Sequence, residues 1–188
     1  MKPKQIPVLL LTVLAAGELA GSALYLCTRY RGMLGNAFVL HGIGRLGGAF
    51  AAILPELLLY PMLWLLLFAV IGLTVCAVPA ALALVFLHGM TLGAVLTGLY
   101  QGQLLAGLAK AFCFVMPYAS AQTLLLLLAA RESMRSSLRL TNLLHGRAGE
   151  SCTVRRQLLR YLVLSLGLCL TGVMQTFWCS TVYEFFLH

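Results

Sequence analysis

The chain reads as a series of long apolar runs separated by short polar or glycine-rich breaks. A hydrocarbon core about 30 Å thick takes about 20 helical residues to cross. The run from Pro79 to Leu99 meets that length without an acid, a lysine or an arginine. Read by the same rule, the pattern predicts membrane segments over residues 7–28, 57–75, 79–100, 111–130 and 158–181. The expected architecture is all-α: a polytopic transmembrane helix bundle of about five spans, forming one integral membrane domain over 1–188.

The breaks set the boundaries. The first run ends at Arg29 and Arg31, and Gly32–Gly48 is interrupted too often to span, so it reads as a loop. Pro55-Glu56 is expected to open the second helix and Pro61 to bend it. Cys76-Ala77-Val78-Pro79 is so short a connection that the helices on either side must form an antiparallel hairpin. Between Leu104 and Ala130 the apolar pattern is broken by Lys110 and by the stretch from Pro117 to Gln122. Two arrangements fit: a re-entrant or interfacial helix over 104–116 followed by a span, or a single proline-kinked helix. Polar backbone at membrane depth survives only when buried in protein, so this stretch should face the bundle. Lys2 and Lys4 before an apolar run, with Gly21-Ser22-Ala23 behind it, have the outline of a signal peptide, but the run continues to Cys27. That length favours a retained first helix.

Composition sharpens the picture. Hydrophobic residues make up 61% and charged residues 10%, against roughly 45–50% and 25% in soluble domains. The net charge is +8, and seven of the thirteen basic residues fall between Arg131 and Arg160. Basic loops stay in the cytoplasm, so a loop over 131–157 is expected inside. The N-terminus then lies inside and the C-terminus outside a multi-pass cell membrane protein. Arg131, Arg135 and Arg139 recur every four residues, a basic stripe that together with Arg155 and Arg156 would meet anionic lipids at the membrane surface. A plain topology anchor is the simpler reading of that stripe. Nucleic acid is not an expected partner, since the chain offers no soluble basic face.

The candidate chemistry is sparse. Glu18 stands in the middle of the first helix, where a charge costs at least about 2.5–3.5 kcal/mol. It should be neutral or paired, with His88 or Gln122 as partner. One reading is a proton or ligand site. The stronger one is an interhelical hydrogen bond that fixes register, with Gly17 and Gly21 on α-helical spacing beside Glu18, and Gly89 and Gly93 forming a second close-packing face. The six cysteines include no C-x-x-C pair, so neither a metal site nor a disulfide framework is indicated and no cofactor is expected. H-E-x-x-H, G-x-S-x-G and the Walker lysine loop are absent, and the chain is read as non-catalytic.

Between Leu54 and Leu140, LLYPMLWLLLFAVIGLTVCAVP is joined tightly to LALVFLHGMTLGAVLTGL, followed by LLAGLAKAF and the proline with polar neighbours from Met116-Pro117-Tyr118 to Gln122, with the small residues Gly167 and Gly172 later in the chain. On these residues the chain resembles the stage II sporulation protein M family of spore-forming bacteria. It departs at Tyr118-Ala119-Ser120, where members carry an amide, and at Gln175 and Ser180, where they carry Glu and Pro. The resemblance implies a non-catalytic membrane scaffold for sporulation, recruiting extracytoplasmic cell-wall hydrolases during engulfment and so serving cell wall remodelling. The outer loop, with Arg31, Asn36, His41 and Arg45, would be the partner-binding element, and a second copy of the chain is a further candidate partner. The rival reading is a substrate-capturing subunit of a vitamin or small-molecule transporter, with Glu18, His88 and Gln122 lining its pocket. Such a subunit needs several polar groups converging on a cavity.

Overall fold

The computed structural model describes residues 5–27, 50–74, 76–102, 116–144 and 154–187. They form five helices: α1 (Gln5–Leu26), α2 (Phe50–Ile71), α3 (Ala77–Gly102), α4 (Met116–Leu144) and α5 (Val154–Leu187). Among the described residues there is no strand, so the chain is an all-α helical bundle. Three helices are long and apolar enough to cross a membrane, at Gln5–Leu26, Ala77–Gly98 and Gln157–Trp178, and Leu58–Ile71 is a shorter apolar helix.

Several boundaries differ from the sequence reading. Pro55 does not open α2; the helix starts five residues earlier and contains both Pro55 and Pro61. Phe50–Leu54 are apolar, and in lipid the helix is the means of satisfying their backbone groups, which outweighs the one bond that Pro55 removes. α2 stops at Ile71 rather than at residue 75. Its end is drawn into a tight turn by bonds from Gly72 N to Phe68 O (2.9 Å), Leu73 N to Val70 O (3.1 Å) and Thr74 N to Ile71 O (2.9 Å). α3 begins almost at once, with Pro79 in its first turn, where a missing N–H is harmless.

The Pro117–Gln122 stretch is helical among the described residues. It is the first turns of α4, with Pro117 as the second residue. The alternative helix over 104–116 falls, apart from Met116, outside the described residues, as does the start of the expected 111–130 span. The basic stretch over 131–157, expected as a loop, is largely helical among the described residues. Residues 131–144 continue α4 without interruption, and α5 already begins at Val154. The reason is packing: Ser133, Met134, Ser136 and Ser137 are buried, so the basic stretch has an inner face that belongs to the bundle.

Contacts fix the directions of the helices. Gly17 meets Phe86 and Gly21 meets Met90, so α1 and α3 run parallel. Tyr60 meets Thr91 and Trp64 meets His88, so α2 runs opposite to α3. Leu58 meets Gly172 while Phe68 meets Tyr161, and Leu125 meets Gly167 while Glu132 meets Arg160. α5 is therefore antiparallel to both α2 and α4. Each helix runs opposite to the one before it. The start of α1, the α2–α3 turn, the arginine-bearing end of α4 and the start of α5 gather at one end, called the basic end below. A core of Leu10, Leu14, Trp64, Phe68, Val85, Leu126, Met134 and Leu168 joins the five helices.

Candidate functional site

The tightest feature is the crossing of α1 and α3. A Cβ added to Gly17 would fall on the carbonyl oxygen of Phe86, 3.1 Å from its carbon and 3.2 Å from Cα of Gly89. One at Gly21 would fall on the Met90 carbonyl, 2.7 Å from its carbon and its Cα. In return, a Cβ at Gly89 would strike the Leu14 carbonyl oxygen, and one at Gly93 would strike the Glu18 carbonyl, 2.8 Å from its carbon. Every obstacle is backbone, so no side chain can swing aside. Four glycines in two G-x-x-x-G pairs thus let the helices approach until each faces a carbonyl of the other, the arrangement in which Cα–H groups donate weak hydrogen bonds. Ser22 Oγ adds a conventional bond to Gly93 O at 3.3 Å.

Glu18 enters this crossing with its backbone, while its side chain is only partly buried. The expected pairing with His88 does not form: neither a hydrogen bond nor an ion pair joins the carboxylate to His88 or to Gln122. Helix geometry gives the reason. Gly89 faces α1, and the preceding residue lies about 100° round the helix, which turns His88 toward α2 and α4.

There His88, only 3% exposed, sits in an aromatic box. Its ring stacks on Tyr60 (centroids 6.3 Å apart, planes at 28°) and meets Trp64 edge-on (5.7 Å, 66°). Its Nε2 lies 3.2 Å from Thr123 Oγ1 on α4. Thr91 donates its single hydroxyl proton to the His88 carbonyl at 2.8 Å, so in the 3.1 Å contact between Tyr60 and Thr91 the phenol must be the donor. α2, α3 and α4 are thereby tied together by one buried polar group of side chains. Gln122, 1% exposed, has no hydrogen-bond partner for either amide atom among the described residues. Sequence reading picked out His88 and Gln122 but not Tyr60, Trp64, Thr91 or Thr123. The available signal was the i, i+4 pair Tyr60 and Trp64, the two aromatic residues with a polar atom on α2.

At the basic end, Glu132 of α4 accepts from Arg135 at 3.2 Å and from Arg160 of α5. Arg131 and Arg135 are partly buried, and Arg139 and Arg155 are exposed. The stripe is therefore the end of a packed helix rather than a separate helix lying along the membrane. Glu132, the acid in the middle of the run, was the overlooked residue. The side chain of Arg156 lies outside the described residues, as do Arg31, Asn36, His41 and Arg45 of the expected partner-binding loop.

Two of the surface clefts are lined by described residues. One of about 260 Å³ lies between the start of α4 and α5, beside Tyr118, Thr171, Met174, Gln175 and Trp178. The other, about 210 Å³, lies between α2 and α5 near the basic end. Among the described residues no three histidine, cysteine or acidic side chains gather as a metal site. Comparison with protein-family models, with curated proteins and with solved structures finds no match to this chain.

Proposed function

We propose that this chain is a non-catalytic integral membrane scaffold, a fixed frame that holds partner proteins at the membrane. The observation that carries the reading is the reciprocal glycine crossing of α1 and α3, which spends the closest approach in the bundle on immobilising two helices against each other. The buried polar side chains support it, since His88, Thr123, Tyr60 and Thr91 tie three helices to one another. In this reading the chain passes the membrane five times. Its basic end and N-terminus face the cytoplasm, as the concentration of arginine there requires, and its C-terminus lies outside. The resemblance to the sporulation family supplies the partners: cell-wall hydrolases outside the membrane, held during engulfment through the loop bearing Arg31, Asn36, His41 and Arg45.

The test is co-purification from sporulating cells of a spore former, using the full chain and loop variants. Substitution of Arg31 and Arg45 should release wall hydrolases while the protein level stays unchanged. The transporter-subunit reading has one observation on its side, the buried amide of Gln122, which has no hydrogen-bond partner among the described residues. Purified chain that carries a vitamin-sized molecule, loses it on Gln122→Leu and brings down no hydrolase would replace the scaffold by that reading.

A further inference from the structure

The cleft between α2 and α5 has a graded chemistry. Ala69, Val70 and Leu73 of α2 form one wall, and Gln157, Leu158 and Tyr161 of α5 the other. Val70, Leu73 and Leu158 are each more than half exposed, so the cleft opens sideways, toward the lipid that surrounds an apolar helix. Tyr161 turns its hydroxyl inward to the Phe68 carbonyl at 3.3 Å. That leaves its ring as an apolar wall and Gln157, nearest the basic end, as the polar side chain at the mouth.

α5 carries arginines in the turns next to Gln157. Arg155 is exposed in the first turn of α5, three residues before Leu158 and so on the same side of the helix. Arg160, three residues after Gln157, is tied to Glu132 but has five N–H donors on its guanidinium to share. Glu132 also holds Arg135 of α4.

We propose that this cleft binds an anionic phospholipid from the leaflet that meets the basic end, with one acyl chain between α2 and α5 and the headgroup phosphate at Arg155. A free phosphate would leave the apolar walls uncovered. The site is independent of the scaffold reading, because it rests only on the bundle and its charges.

The test uses the purified full chain, stripped of lipid and titrated in a native mass spectrometer. The ligands are phosphatidylglycerol and phosphatidylcholine with identical acyl chains. Phosphatidylglycerol should bind about fivefold more tightly or better, the effect of one basic side chain at an anionic surface. Arg155→Gln should remove that preference, and Arg139→Gln, exposed on α4, should leave it intact. Ala69→Trp should abolish binding of both lipids by filling the cleft. Should that variant lose helical circular dichroism, Leu73→Trp on the exposed rim makes the same test. Equal affinity for the two lipids, full binding to the tryptophan variants, or equal loss from Arg139→Gln and Arg155→Gln would overturn the site. So would displacement by millimolar inorganic phosphate, or a second protein chain held at the cleft and released by Ala69→Trp.

Discussion

Replacing Gly93 by alanine adds one methyl group at the place where α1 and α3 have least room. The new carbon would stand 2.8 Å from the carbonyl carbon of Glu18 and 2.9 Å from its Cα, and closer still to the carbonyl oxygen. Ordinary contact begins at 3.4 Å, so the helices must separate locally by about 0.5–1 Å, a gap that forfeits a quarter to a half of each pair's dispersion energy. A buried leucine makes about 40–60 contacts of about 0.1–0.2 kcal/mol, roughly 8 kcal/mol gross, so losing a quarter to a half at one such residue costs about 2–4 kcal/mol. Overpacked cores lose about 1–3 kcal/mol, and the two ranges overlap at about 2–3 kcal/mol for Gly93→Ala. Equilibrium unfolding of the purified chain in mixed micelles, followed by helical circular dichroism as denaturing detergent is added, measures this directly. Gly167→Ala is the internal control, because its added carbon would meet Leu125 side-chain tips at 3.3 and 3.5 Å, which can rotate away. It should stay within about 0.5 kcal/mol of the unaltered chain. Equal stabilities for Gly93→Ala and Gly167→Ala would show that close backbone approach is not what holds α1 on α3.

Four further outcomes follow from the same geometry. Glu18→Gln should change unfolding by less than about 0.5 kcal/mol, because the crossing uses the backbone of that residue and not its carboxylate; the same detergent titration reads it. His88→Ala should destabilise by about 2–4 kcal/mol, through the cavity left between Tyr60 and Trp64 and the bond lost to Thr123, and His88→Gln should recover part of that loss. Glu132→Gln breaks two ion pairs, one within α4 to Arg135 and one that joins α4 to α5 through Arg160, and since both arginines are about a third exposed the loss should be about 1 kcal/mol and shrink in high salt. Membrane-impermeant maleimide applied to intact cells should label Cys27, exposed at the far end of α1, and spare Cys76, exposed in the turn at the basic end; the reverse pattern, in single-cysteine variants, would invert the orientation.

What was legible in the sequence was whatever a one-dimensional pattern can encode. Length and hydropathy identify α1, α3 and α5 because a membrane crossing is an unbroken run. The tight turn before Pro79 announces the α2–α3 hairpin because so few residues leave no other path. The G-x-x-x-G pairs announce a close crossing because glycine is the residue without a Cβ. The sequence does not say that Gly17 and Gly21 meet Gly89 and Gly93 in particular. The reciprocal fit of glycine to carbonyl is a property of two helices in space. The helical end of α4 was hidden for a related reason: a run of arginines reads as a loop until Ser133, Met134, Ser136 and Ser137 are seen to form a buried face between them.

The Glu18–His88 pairing is the instructive miss. Two polar residues at mid-helix depth make natural partners when only depth is considered, and depth is what hydropathy reports. Azimuth decides otherwise. His88 adjoins Gly89 in sequence, and the closer the glycine brings α3 to α1, the more firmly its neighbour about 100° away is directed elsewhere. The residues that receive His88, Tyr60 and Trp64, are four apart on α2 and so share one face of that helix. The glycine face and the histidine face are thus set by a single rotation of α3, and fixing one orients the other. Substitution at Gly89 should therefore disturb the His88 box. Gly89→Ala places its new carbon on the Leu14 carbonyl, and turning α3 to relieve that clash shifts His88 against Trp64. Trp64 fluorescence should change in Gly89→Ala and stay unchanged in Gly167→Ala, and an unchanged spectrum in both would uncouple the two faces.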